Sequence, residues 1–450
     1  MRHSTGRAAA WVVGHAVTES GVLLRQAEPI ALAPGITVES FAQSLNGRFV
    51  VVDLGPADPI VYPDGCCSLG AVHAGAEESV ASTSGLIPVS RATPFAIDRI
   101  ISTDIPYRAS MYPLGITPRI GVERLRPNHR LDCGSWAMVR TWPLEAVQRG
   151  PDTAAFESYY AASVQRTLRA IAGTYELDFA LTGGGDTRLM LACSSGIPAP
   201  VTTFTAALDN LSGWSDTQVA GRLAAHLGVE HRVIRARSRR KDLLHWAQRT
   251  ACETGEPNGW RGARALADQR KGRATITGIT TDVVRFDEAR QIALVRGNTP
   301  EEILRRCNIS RRPEFVARAR QWLDGLGHLD AVTIADLVHI EQRHGCWSAV
   351  IEYGELGDSS ARLSPTTSAG IIRGGLALPH EYRIERKLHR AVIAATWPEA
   401  LEVPFDFEEG GRPGAWIKRY YRMRSRLQRA IEVNTSRVRR RVAKARARDV

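Results

Sequence analysis

The stretch DFALTGGGDTRLMLAC, Asp178 to Cys193, decides how the rest of the chain is read. An apolar run halts at Gly183, Gly184 and Gly185; Asp186, Thr187 and Arg188 follow, and a second apolar run begins. The order predicts strand, loop, helix. Glycines have no Cβ, so successive backbone N–H groups can turn toward one point. A helix N-terminus adds its partial positive charge. Thr182 to Thr187 together make an anion cradle. Asp186 would repel a bare phosphate, which implies a Mg2+ ion bridging carboxylate and phosphate. No lysine follows the last glycine and the spacing is not GxGxxG, so a Walker-type loop and a dinucleotide site are both disfavoured. The plainer alternative is a glycine-rich turn with Asp186 as a helix cap.

Outward from this loop the chain divides in three. Residues 1–150 read as strands and turns: AWVVGHAV, RFVVVDLG, PIVYPDG and SWAMVRTW are short, β-branched or aromatic, and punctuated by Gly, Pro, Asp and Asn. A β-rich domain is expected. Residues 151–414 form the second unit. Ala155 to Ala172 has helical spacing and ends at Gly173. DFAL, VTTFTA, HRVIRA and ATITGI then alternate with helix-like segments, which predicts an α/β domain with a parallel sheet covered on both faces. Val219, Leu223 and Leu227 mark the sheet-facing side of one such helix. From about Thr299 the pattern is mostly helical, and the prolines of WPEALEVPFD are expected to break helix into loop. Residues 415–450 are a basic helix or tail with 13 Lys or Arg against 2 Asp or Glu.

Composition narrows the function. The net charge of +12 sits almost wholly in that tail. It could bind nucleic acid, but it carries few aromatics and no recognition motif, so a solvated basic helix is favoured. No apolar run approaches the roughly 18 to 20 residues of a spanning helix, and the N-terminus makes a poor secretion signal. The 7 cysteines are odd in number and contain no CxxC pair. Reduced thiols in a cytoplasm, with no zinc site, are the expectation.

The motifs resemble a known family. Strand, Thr-Gly-Gly-Gly-Asp-Thr and helix resemble the pyrophosphate loop of the N-type ATP pyrophosphatases, and Arg188 makes it most like the asparagine synthetase branch. Asp216, Ala220, Leu223, Ala224, Leu227, Gly228 and His231 match a second pattern of that branch. Thr277-Gly278-Ile279-Thr280-Thr281-Asp282 resembles its second loop, and IERKLHRAVIAATWPEALEVPF the helix and Pro-rich loop after the active site. SLNGRFVVVD, VYPDG, ASTSG and LRPNHRL are similar to its amidotransferase-like Ntn domain. The resemblance covers Phe41 to Phe407 in patches. It implies a five-stranded-type parallel ATP-pyrophosphatase domain with a helical C-terminal part, after a degenerate amidotransferase-like domain.

It also implies a function. A carboxylate attacks the α-phosphate of ATP, pyrophosphate leaves, and ammonia or an amine displaces AMP to form an amide. By resemblance, Thr182, Gly183, Gly184, Gly185, Asp186, Thr187, Thr277 and Gly278 hold ATP and pyrophosphate, and Thr203 and Thr205 lie near the adenine. Asp186 and Asp282 are the Mg2+ ligands. Either Arg386 or Lys387 aligns with the family's phosphate-clamping lysine. His231 reads as a structural histidine at a strand start. The partners are a carboxylate small molecule or peptide and an ammonia or amine donor, with a homodimer left open and no membrane.

Two departures stand out. Glutamine-dependent members expose a cysteine after the initiator methionine, whereas this chain begins Met1-Arg2-His3 and its first cysteine is Cys66. Glutaminase activity is therefore expected to be absent, as in β-lactam synthetases, carbapenam synthetases and lasso-peptide cyclases. Ile279 stands where relatives have Glu or Tyr and can do no acid–base work. Glu352, Tyr353 and Glu355 are candidate replacements, and Arg285-Phe286-Asp287-Glu288 replaces a glycine-rich continuation. The alternatives are a non-catalytic ATP-binding pseudoenzyme and an RNA-modifying enzyme with the same loop.

Overall fold

The computed structural model describes residues 10–24, 32–103, 105, 110–150, 152–207, 211–235, 240–255, 272–351, 361–408, 415–420 and 423. Near the N-terminus, five strands form an antiparallel sheet in chain order: β1 (Ala10–Val17), β2 (Asn46–Asp53), β3 (Ile60–Pro63), β4 (His129–Asp132) and β5 (Ala137–Arg140). β2 is buried along nearly its whole length, as its Phe-Val-Val-Val run predicts. A smaller sheet joins Val72–Ala74, Ser79–Ala81 and Glu123–Arg124.

The sheet that positions the glycine loop is parallel throughout. Its strands are β6 (Glu176–Ala180), β7 (Val201–Ala207), β8 (Glu230–Arg235), β9 (Arg273–Ile276) and β10 (Ala361–Leu363). The order across it is β8-β7-β6-β9-β10. The chain winds outward from β6 to β8, then crosses back to place β9 on the other side of β6. The topological switch point is therefore the gap beyond the C-terminal ends of β6 and β9. β10 was not expected. It is a three-residue strand, Ala-Arg-Leu, inside a region whose pattern reads as helical.

Packing follows from periodicity. Helix α1 (Thr153–Ala172) starts at Asp152, whose side chain accepts from the Ala155 N–H, and ends at Gly173. Its buried Phe156, Tyr160, Val164, Leu168 and Ile171 recur every three or four residues and share a core with Leu177 and Phe179. Fully burying each Leu, Val or Phe contributes roughly 1.5–3 kcal/mol. Helix α2 (Gly185–Ala192) follows β6, and α3 (Leu211–His226) follows β7 with Val219 and Leu223 buried as expected and Leu227 at the edge of the core. Helix α4 (Ala331–Leu337) runs on without a break into a π-helix, Val338–Ser348. Helix α5 (Lys387–Thr396) stops before Trp397 and Pro398, where the proline pair breaks it as predicted.

Asn46 ties the antiparallel sheet to the second half of the chain. Its Oδ1 accepts from the Thr367 and Ser368 N–H groups, and its Nδ2 donates to Thr167 Oγ1 and to the Pro365 carbonyl. At Gly65 a Cβ would come within 2.6 Å of the Thr367 carbonyl, so only glycine allows this close approach.

Candidate functional site

The glycine loop lies at the end of β6, and Thr277–Asp282 follows β9 beside it. The two loops touch closely: a Cβ on Gly278 would fall 2.8 Å from the Asp186 carbonyl carbon. Gly183 packs as tightly, since a Cβ there would lie 2.8 Å from that of Asp406. Part of the cradle is already engaged. The Gly183 N–H donates to Asp216 Oδ1 at 3.0 Å, and the Gly184 N–H donates to Thr182 Oγ1 at 3.3 Å. The Thr182 N–H donates to Thr187 Oγ1 at 3.0 Å. At the start of α2, by contrast, Gly184 provides no side-chain cap. The first-turn N–H groups keep their dipole for an anion. Asp186 does not cap this helix, as the plainer alternative had it.

Asp186 is held by two cations or donors. Arg285 grips it with two bonds, Nε to Oδ1 at 3.2 Å and Nη2 to Oδ2 at 3.1 Å. His389 on α5 lies with Nε2 2.8 Å from Oδ1. Burial pushes the Asp186 carboxyl up, but Arg285 and His389 outweigh it and hold the pKa below the ordinary value. Burial likewise disfavours the Arg285 charge, and Asp186 and Asp282 overcome it, raising that pKa.

Asp282 is more deeply buried. His344 Nε2 lies 2.8 Å from Oδ1 and His339 Nε2 3.0 Å from Oδ2. Both histidines belong to the π-helix, and all three side chains are buried. Burial opposes the Asp282 charge, yet His339 and His344 beside it hold its pKa well below the usual range. Burial, helped by Arg290, lowers the pKa of His339.

The expected Mg2+ ion shared by Asp186 and Asp282 does not fit this arrangement. Arg285 Nη2 sits between the carboxylates, 3.1 Å from Asp186 Oδ2 and 4.0 Å from Asp282 Oδ2. Mg2+ demands octahedral oxygen ligands, and both Asp186 oxygens are committed to nitrogen partners.

A buried ion network fixes the loop that carries Arg285. Arg383 meets both oxygens of Asp336 at 2.7 Å, and Arg290 reaches Asp336 at 3.1 Å and the Asp282 carbonyl at 2.7 Å. All three side chains are fully buried, and both guanidinium groups stack on Phe286. Arg188 is a second clasp. It is fully buried, lies over Phe405, and donates to the carbonyls of Ala400, Val403 and Pro404. It anchors the Pro-rich loop over the glycine loop.

The other candidates separate. Arg386 lies in the electrostatic range of Arg285, Asp186 and Asp406 and stacks on Phe407. Lys387 turns to the surface and pairs with Glu385 at 2.6 Å. The two side chains point apart because α5 begins between them. Thr203 and Thr205 both meet His231, at 2.8 Å and 3.3 Å, and donate to the Glu230 and Leu181 carbonyls. Their hydroxyls are bonded within the sheet, and His231 bridges them. The Thr277 N–H donates to the Leu363 carbonyl, which joins its loop to β10. The Cys66 and Cys67 side chains are buried, and burial pushes the Cys67 thiol up. None of the 7 cysteines forms a disulfide. Glu352, Tyr353 and Glu355 lie outside the described residues, as does nearly all of the basic tail.

Sequence reasoning missed Arg285 as a partner of Asp186, and it missed His339, His344 and His389. The helix pattern of IERKLHRAV could have flagged His389, which sits on the apolar side of α5. A cavity of about 750 Å3 lined by Val50, Val61, Cys133 and Trp136 lies on the antiparallel sheet, away from these charges.

The chain matches no protein-family model, and no curated protein matches it at a level that would establish a relative.

Proposed function

We propose that the chain is an ATP-dependent, AMP-forming amide ligase of the asparagine synthetase type, without a glutaminase of its own. One observation carries this. Two loops from neighbouring parallel strands meet at the switch point, and one of them opens an uncapped helix N-terminus toward the gap. That is where open parallel sheets bind ligands, and a helix start suits phosphate.

The reaction has two steps. A carboxylate oxygen attacks the α-phosphorus of ATP and the bond to the β-phosphate breaks. The first N–H groups of α2 and the guanidinium of Arg386 take up the charge of the leaving pyrophosphate. An amine nitrogen then attacks the acyl carbon, AMP leaves and the amine loses a proton. The buried thiols of Cys66 and Cys67 favour ammonia or an amine over glutamine as nitrogen source.

A second reading, a non-catalytic ATP-binding module, is favoured by the neutralisation of Asp186 by Arg285. The full chain incubated with ATP, a panel of carboxylic acids, and ammonium, glutamine or amines in turn separates the two. AMP and pyrophosphate in equal amounts with ammonium or an amine, but not with glutamine, are expected. ATP binding without turnover would leave the second reading, and release of ADP would sink both.

A further inference from the structure

The cluster of Asp282, His339 and His344 adjoins Asp186 through Arg285, and the inference drawn from it does not rest on the ligase reading. We infer that these three side chains form a binding site for a divalent first-row transition metal, Zn2+ in preference to Mg2+. Their ligand atoms, one from each side chain, all lie within 4.8 Å of one another. Ligands about 2.0–2.1 Å from a Zn2+ ion in tetrahedral geometry are roughly 3.3 Å apart. The two imidazoles lie 2.8 Å and 3.0 Å from the two carboxylate oxygens, and no pair of ligand atoms exceeds 4.8 Å, so the side chains need only rotate and spread by about an ångström to surround an ion.

Three observations favour a metal over a plain hydrogen-bonded cluster. His339 is 3% exposed, and its Nε2 has no hydrogen-bond partner although it lies 3.0 Å from Asp282 Oδ2. The ring nitrogen thus faces the carboxylate closely, without an aligned hydrogen bond. His344 is held from behind, with Nδ1 3.2 Å from Ser348 Oγ. An outer-shell partner of this kind fixes the ring and leaves Nε2 for a metal. Two imidazoles and one carboxylate are also the donor set of Zn2+, Fe2+ or Co2+ rather than of Mg2+ or Ca2+, which take oxygen.

The charges nearby do not forbid a cation. Arg285 and Arg343 approach Asp282 Oδ2 only to 4.0 Å and 3.8 Å, and the Arg343 side chain is 43% exposed. The carboxylates of Asp186, Asp287 and Asp336 pair with Arg285, Arg290 and Arg383 and offset their charge.

The test uses the full chain, stripped with a chelator and titrated with Co2+ and Zn2+ in the presence of excess Mg2+. About one Co2+ per chain, with visible d–d bands bleached by Zn2+, is expected. His339→Gln and His344→Gln weaken binding by more than the roughly 10–100-fold that outer-shell changes cost, and Ser348→Ala falls within that range. His226→Gln, at a surface histidine paired with Glu402, leaves affinity unchanged. Binding that survives both histidine variants, or that millimolar Mg2+ displaces, overturns the inference. If the variants do not fold, X-ray absorption of the Zn2+-loaded parent decides: two imidazole ligands are expected, and their absence refutes the site.

Discussion

Glu341 and Asp282 both meet the π-helix, one as part of it and one from across it, and their surroundings differ. The Glu341 carboxylate takes bonds from Asn128, from both terminal nitrogens of Arg140 and from the Trp322 indole. Two donors reach each oxygen, which uses its full acceptor capacity. Asp282 has one aligned imidazole, a second that misses its line, and two guanidiniums at a distance. Near it His389 Nδ1 and Thr277 Oγ1 are also buried without partners. A completed network stiffens a fold, while buried groups left without partners mark places where a ligand can complete them. The Glu341 side joins the two halves of the chain; the Asp282 side is the candidate site.

The difference can be tested residue by residue. Arg188 belongs with the groups that hold the fold, its two terminal nitrogens bonded to three carbonyls although its Nε has no partner. Arg188→Met strands three carbonyl acceptors, and a loss of about 3–5 kcal/mol is expected in the urea midpoint, since each bond to a charged donor contributes about 1.5–3 kcal/mol. A loss under about 1 kcal/mol would mean that the Pro-rich loop is held by something else. Arg386 belongs to the open side. Arg386→Gln should lower kcat for AMP formation by about 100–1000-fold, the range for one charge-stabilising donor, with little change in stability. An unchanged kcat would remove Arg386 from the chemistry.

Glu341 sharpens the contrast through pH. Arg140 and His129 overcome burial and bring its pKa from 4.5 to about 2. The folded value is the lower one, so the stabilisation is present above the unfolded pKa and disappears as pH falls from about 4.5 toward 2. Glu341→Gln should therefore cost about 3 kcal/mol at pH 7 and almost nothing near pH 2. A cost independent of pH would show that packing, not charge, is at work. The smallest effect is expected at Lys387, where Lys387→Gln should change both kcat and stability by no more than about 0.5 kcal/mol.

Much of the parallel sheet was legible. β6 to β9 were readable from apolar runs alternating with helical periods, and the glycine loop from its own letters. β10 was not, because three residues carry no period. Part of the site was legible for the same reason: Asp186 and Asp282 follow the ends of strands by a few residues, and motifs mark them. Arg285 sits in a loop where no periodicity applies, and its grip on Asp186 spans 99 residues of sequence. His339 and His344 were hidden by their spacing. Five residues is neither a strand period nor an α-helical one, so the pair looks unrelated until the backbone is seen to widen.

That widening carries a consequence for how the sequence can change. On an α-helix, positions five apart diverge by about 140°, given about 100° per residue. The π-turn closes that angle and turns both imidazoles to the same carboxylate, while Glu341 faces Arg140. Removing a single residue between His339 and His344 would tighten the coil and turn one set of partners away from the other. For this segment, length is inherited alongside composition, and insertions or deletions are the changes it can least absorb.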